Sequence, residues 1–254
     1  MELWQIIIAV LGGFIAGVIN TFAGNGSAIT LSILTEVLGL PGNVANGTNR
    51  VGALFQSTTS TYVFYKNGKL NLKESKSIII LTIIGALIGV GVAINIPNTQ
   101  FEIIFKYLML GMLVVILVKP KRWMSESKSL YSMPLMIQIP IFLGLGFYGG
   151  FIQMGMGIFY LAALVLIAKY DIIKANAVKI FVVFAYTGVV LALFHWRGLV
   201  DWKYGSIIAI GQAVGGYLAA QIATRSPKAN IWAYRILLVV VVTVVLRLFG
   251  LLPF

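Results

Sequence analysis

The sequence contains no cysteine, a single histidine (His195), and 7 acidic residues against 19 lysines and arginines in 254 positions. The missing cysteines exclude disulfides, thiolate metal sites and thiol chemistry. What remains assembles no Ser-His-Asp set, metal-ligand cluster or phosphate-binding glycine loop, so no catalytic residue, metal or cofactor is expected, and the chain does not read as an enzyme. Charge is scarce too, at 10% of residues, where soluble globular domains carry about 25%. The formal net charge of +12 does not mark a nucleic-acid partner, because the lysines and arginines fall mostly in short loops between apolar runs.

In place of charge the chain has long apolar stretches, with 59% of its residues hydrophobic. Uncharged runs such as Leu3 to Ala23 and Ser77 to Ile96 match the roughly 20 residues that carry a helix across a bilayer core about 30 Å thick. Continuous runs fit a helix bundle, whereas a barrel would alternate every second residue. The expected fold is therefore an all-α membrane protein, a polytopic bundle forming one transmembrane domain over residues 1–254 in the cell (inner) membrane, with the lipid bilayer as its surroundings. The first run follows only Met1 and Glu2; without a basic start or clear cleavage site it is expected to stay in the mature chain. Ten helical segments are predicted, at 3–23, 27–40, 46–65, 76–96, 100–118, 133–153, 157–169, 174–195, 204–224 and 229–249.

The second and seventh segments are too short to cross, and each follows a glycine pair, Gly24-Asn25-Gly26 or Gly155-Met156-Gly157. The halves also resemble each other. Ala45-Asn46-Gly47-Thr48-Asn49-Arg50 corresponds to Ala175-Asn176-Ala177-Val178-Lys179-Ile180, and the stretch from Tyr65 to Lys73 corresponds to His195 to Lys203, both at an offset of 130 residues. Gly85 with Gly89 and Gly211 with Gly215 repeat one spacing. The reading is two repeats, about 3–118 and 133–249, joined by a cytoplasmic linker over 119–132.

If each glycine-broken pair is a re-entrant hairpin, 12 loop lysines and arginines share one side against Arg197, Lys203 and Arg247 opposite. Full crossings would even out that split, so the positive-inside rule favours hairpins, with both termini outside. Three full crossings per half then make the repeats inverted, a common plan of secondary transporters. Trp4, Tyr65, Trp123, Trp196, Trp202, Trp232 and Tyr234 cluster near segment ends, as interfacial belts do.

Four basic residues, Arg50, Lys106, Lys179 and Arg235, lie inside apolar segments. Charge at membrane depth is a functional candidate unless a nearby helix end lets the side chain reach the headgroups. That second account suits Lys106 and Arg235, which lack polar neighbours, better than Arg50 and Lys179 beside the duplicated Ala-Asn block. The segment from Asn43 to Thr61 is unusually polar and cannot turn that face to lipid. Its Ser57 to Thr61 run suits hydrogen bonding between helices, while Asn46, Thr48, Asn49 and Gln56 equally suit a cavity wall.

In the hairpin arrangement Gly26 and Gly157 open short helices near the midplane, where free N–H groups and the positive dipole end attract an anion. Asn20 and Asn25 flank the first break and Gln153 the second. The alternative is that glycines only permit close packing, as in the spacing of Gly13 with Gly17 and Gly146 with Gly150. All seven acids fall in loops, termini or segment ends, whereas a cation pathway normally shows a carboxylate at depth. Glu36 is retained as a candidate for proton coupling, and His195, aligned with Tyr65, reads as a belt residue. The candidate substrate-binding set is Asn20, Asn25, Gly26, Asn46, Thr48, Asn49, Arg50, Gln56, Gln153, Gly157, Asn176 and Lys179. The partner it fits is a small anion. A carrier, a passive anion channel of the same fold and a non-transporting scaffold subunit all stay open at this point.

The runs Gly13-Phe14-Ile15-Ala16-Gly17 through Gly24-Asn25-Gly26, Gly39-Leu40-Pro41 and Val44 to Arg50 look like the TauE/SafE sulfite exporter family. In the second half, Gly150-Phe151 through Gly155-Met156-Gly157, Ala175-Asn176-Ala177 and Gly198-Leu199-Val200-Asp201-Trp202 agree. The resemblance covers nearly the whole chain. It implies a secondary transporter, an exporter, of a sulfur-containing anion such as sulfite or an organosulfonate, driven by its own gradient or by protons. Where the family usually carries a glycine triplet this chain has Asn25-Gly26-Ser27-Ala28, and no proline follows in Ile29-Thr30-Leu31-Ser32. A pocket different from the typical member's is implied.

The charge split predicts that the 66–76 loop faces the cytoplasm. In this cysteine-free chain, Asn71→Cys should resist an impermeant thiol reagent in intact cells and react after permeabilisation; labelling of intact cells would reject the orientation.

Overall fold

The computed structural model describes residues 2–73, 75–93, 114, 117, 133–226, 228–248 and 250–251. Among them every regular element is a helix: α1 (Leu3–Phe22), α2 (Gly26–Ser32), α3 (Gly42–Lys66), α4 (Lys76–Ala93), α5 (Leu135–Phe151), α6 (Met156–Ala162), α7 (Ile172–Trp196), α8 (Trp202–Arg225) and α9 (Ala229–Leu248). The short α2 and α6 each continue into a π turn, Ile33–Val37 and Ala163–Ile167. Four helices, α1, α4, α7 and α8, are long and apolar enough to cross a membrane, so the chain is a multi-pass membrane protein. The predicted segment at 100–118, with Lys106, and the linker at 119–132 lie outside the described residues except at Val114 and Leu117.

Local chemistry sets the helix starts. α3 begins at Gly42, earlier than the polar pattern suggests, because Pro41 occupies the N-cap with φ −56° and ψ 144°, and proline belongs at a helix start. Asp171 accepts hydrogen bonds from the N–H groups of Ile173 and Lys174, and Asp201 accepts one from Tyr204. Two acids expected merely in loops are thus N-caps. Met156, not Gly157, opens α6.

Two pairs of elements match in length and spacing between the halves. α3 and α7 are both 25 residues long and start 130 residues apart, as do the two five-residue π turns. Gly24 and Gly155, which end the two breaks' entering strands of chain, have φ of 81° and 78°, a region that costs a side-chain-bearing residue about 1 kcal/mol or more.

Each short helix retraces the helix before it. Gln5 Nε2 donates to the Val37 carbonyl at 3.3 Å, closing the base of the α1–α2 hairpin. Phe142 and Tyr160 meet edge to face at 5.5 Å, and Tyr148 and Phe159 at 5.7 Å, along the α5–α6 hairpin. The hairpins are then locked to helices of the opposite half. Gly13 and Gly17 of α1 lie on the backbone of Ile208 and Gln212 in α8, while Gly211 and Gly215 lie on Val10 and Phe14 in return. The same exchange joins α5 to α4: Gly146 and Gly150 rest on Thr82 and Ala86, and Gly85 and Gly89 on Leu143 and Phe147. Small residues four apart let two backbones approach without side chains between them.

The polar face of α3 is buried, as its composition requires: Thr48, Asn49, Arg50, Gln56, Ser57 and Ser60 are all inside. Trp4, Tyr65, Trp196, Trp202 and Trp232 are exposed, in keeping with a belt. Tyr234 departs from that reading and is buried beside Ala233 and Leu237, because helical spacing puts all three on the inner face of α9.

A methyl group at Gly150 would overlap the Ala86 backbone, whereas one at Gly188 of α7 meets nothing within 4 Å. Gly150→Ala should therefore lose about 1–3 kcal/mol of stability through overpacking. Gly188→Ala should be neutral or slightly stabilising. Melting temperatures in detergent would show whether only the first variant falls.

Candidate functional site at the two helix breaks

The two breaks meet. A Cβ built on Gly24 would stand 2.5 Å from the Cα of Gly157, and one built on Gly157 would stand 2.5 Å from the Cα of Gly24. Beside this contact is a cavity of about 20 Å³, room for about one water. Its wall takes Asn20 from α1, Gly24 and Ser27 from the first break, and Gln56 from α3. The second half contributes Gln153, Met156 and Gly157 at its break, and Lys179, Ile180 and Val183 from α7. Residues of both halves thus line one small cavity beside this contact.

Five of the residues picked out in the sequence line this cavity: Asn20, Gln56, Gln153, Gly157 and Lys179. Ser27, Met156, Gly24, Ile180 and Val183 were not among them. Ser27 could have been found as the polar residue in the first turn after a break, and Ile180 and Val183 as the i+1 and i+4 neighbours of Lys179 on one helix.

Lys179 reaches the end of α1. Its Nζ donates to the carbonyls of Asn20 at 2.8 Å and Thr21 at 3.4 Å and to Asn176 Oδ1 at 2.6 Å, while Asn176 Nδ2 donates to the Phe22 carbonyl at 3.2 Å. Arg50 does the same for α5, outside the cavity wall, donating from its two terminal nitrogens to the carbonyls of Gly149 at 3.0 Å and Gly150 at 3.3 Å. Its guanidinium also sits 5.7 Å over the Phe194 ring. These carbonyls belong to last helical turns, which have no intrahelical donor and carry the negative end of the helix dipole.

The other predicted residues surround this centre. The Gly26 N–H donates to Asn20 Oδ1 at 2.8 Å. Thr30 Oγ1 donates to Asn49 Oδ1 at 2.5 Å, and Thr48 Oγ1 accepts from the Asp201 N–H at 2.9 Å, tying α3 to the turn before α8. Asn25 is buried with neither side-chain amide atom partnered, and Asn46 is half-buried with its Oδ1 unpartnered.

Both buried cations lack a carboxylate. Among the described residues the ion pair is Lys174 with Asp171 at 3.7 Å, outside the cavity. Glu36 is exposed and accepts from Thr35 Oγ1. Arg235 is exposed, 5.6 Å over the Trp232 ring, and His195 is exposed and accepts from Trp202 Nε1 at 3.1 Å. No group of three His, Cys, Asp or Glu residues that could hold a metal occurs among the described residues.

The family model described as "Sulfite exporter TauE/SafE" matches residues 9–248. A protein of Sinorhizobium named "Probable membrane transporter protein ORF9" is 28% identical over 220 residues, 87% of this chain and 82% of its own. A "Probable membrane transporter protein" of Haemophilus influenzae is 28% identical over 219 residues, 86% of this chain and 85% of its own. The Bacillus subtilis protein "Probable membrane transporter protein YunE" is 25% identical over 261 residues, covering 92% and 95%. No solved structure matches.

Because Arg50 serves backbone carbonyls away from the cavity wall, Arg50→Met should act on stability first. Each buried carbonyl left unsatisfied costs about 1–3 kcal/mol. A clear fall in the detergent melting temperature is expected, against no change for the exposed Arg235→Met; equal melting temperatures would show that Arg50 is not a cap.

Proposed function

Since the chain belongs to the sulfite exporter TauE/SafE family and is a multi-pass membrane transporter, we propose that it exports a small sulfur-containing anion, sulfite or an organosulfonate, by alternating access around the cavity between the two breaks. The observation that carries this reading is the Lys179 ammonium on the cavity wall, partnered by neutral oxygens alone. A buried charge without a counter-charge is costly, and an anion entering the cavity would supply one. The amide of Asn20 and the Ser27 hydroxyl on the same wall add donors of the kind anions take.

Alternating access needs two arrangements of the halves. Gly47, near the start of α3, lies on Leu199 and Phe194 at the end of α7, so these matching helices run in opposite directions, which supports inverted repeats. In this reading the hairpin tips separate at Gly24 and Gly157 on one side at a time, and the anion's own gradient or protons drive the cycle. A passive channel of the same fold would lack that obligatory closure.

Reconstitution distinguishes these readings. Purified protein in liposomes should move sulfite or sulfoacetate, with exchange accelerated by the same anion on the far side. Lys179→Gln should weaken apparent affinity by about tenfold or more, since a hydrogen-bonded charge is worth about 1.5–3 kcal/mol. Flux without acceleration would indicate a channel, and none above the empty-vesicle leak would end the transport reading.

A further inference from the structure

Gln56 has a fixed orientation. Its Nε2 lies 3.1 Å from Thr21 Oγ1 and 3.2 Å from Ser60 Oγ. Thr21 donates its one hydroxyl hydrogen to the Gly17 carbonyl at 2.9 Å, so toward Gln56 it can only accept, and the group facing it must be the amide nitrogen. Both N–H bonds of Gln56 are thereby taken by hydroxyls of residues that do not line the cavity. Oε1 is left as the polar atom that this wall residue can offer a ligand. Asn20 is fixed the opposite way: its Oδ1 holds the Gly26 N–H at 2.8 Å, leaving Nδ2 free to donate. At the second break Gln153 also lines the cavity, but its Oε1 is buried without a partner, so its amide has no fixed orientation.

A site built for a bare oxyanion would show donors only, because every oxygen of the ligand accepts. Here one oriented acceptor, Gln56 Oε1, stands among donors. A fully deprotonated oxyanion would leave the Gln56 oxygen unpaired against its own lone pairs, and a buried acceptor without a partner is expensive. Resting on the anion-transport reading above, we infer that Gln56 is a specificity-determining residue that selects anions carrying a hydrogen-bond donor. Thr21 and Ser60 are its positioning residues. The ligand chemistry that satisfies the site is a negatively charged head with an O–H or N–H group, as in a hydroxy- or amino-sulfonate or a singly protonated oxyanion.

The test compares isethionate with propane-1-sulfonate, which differ by a hydroxyl in place of a methyl group, as competitors of anion exchange in proteoliposomes. The wild-type protein should favour isethionate by about tenfold, the effect of leaving one buried acceptor unpaired. Gln56→Met should erase the preference. Thr21→Val, which removes the hydroxyl that fixes the amide, should narrow it while exchange continues. The ratio of two ligands on one protein is insensitive to how much of a variant folds. Equal competition by both sulfonates in the wild type, or an undiminished preference in Gln56→Met, would overturn the inference and leave anion transport standing. Exchange of no anion by the wild type would remove the transport reading and this inference with it.

Discussion

Lipid offers no hydrogen-bond donor to a carbonyl, and a helix that ends at membrane depth exposes several. In this protein the last turns of α1 and α5 lie inside the bundle, and the other half serves each of them. Lys179 and Asn176 of α7 take the carbonyls of Asn20, Thr21 and Phe22, and Arg50 of α3 takes those of Gly149 and Gly150. To reach their targets, the two 25-residue helices must lie across the opposite break. The glycine crossings that bind α1 to α8 and α5 to α4 hold the hairpins where the caps can reach them. The same two basic side chains are the ones buried at the breaks, so one requirement fixes both the architecture and where these groups lie.

Much of this arrangement was legible in the residues. The glycine pairs marked the breaks, the offset of 130 is the spacing between the starts of α3 and α7, and the polar face of α3 had to be inside. Five of the cavity residues followed from proximity to a break, from charge at depth or, for Gln56, from the polar face of α3. The role of Arg50 was not legible: its acceptors lie 99 and 100 residues away and are backbone carbonyls, which no side-chain motif advertises. A cation beside an Asn block reads alike whether it meets a ligand or a helix end. Asp171 and Asp201 read as loop acids because a cap is recognised by the N–H groups it accepts from, not by its residue type.

The contact of Gly24 with Gly157 brings two stretches of backbone together with no side chain between them. Such a seam holds little apolar surface, and separating it sacrifices few contacts, since dispersion gains accumulate atom by atom. The surrounding crossings are built from the same small residues but repeated along a helix. In the alternating-access proposal, this weak seam bordered by strong ones is where relative motion would concentrate.

The exchange of partners between halves also bears on how the chain is made. Gly13 rests on Ile208, a residue synthesised almost 200 positions later. At about 5–20 residues per second, the first hairpin waits roughly 10–40 seconds for its permanent neighbour. Its α1 carbonyls wait nearly as long for Lys179. Until then the α1 carbonyls lack the donors that the finished fold gives them.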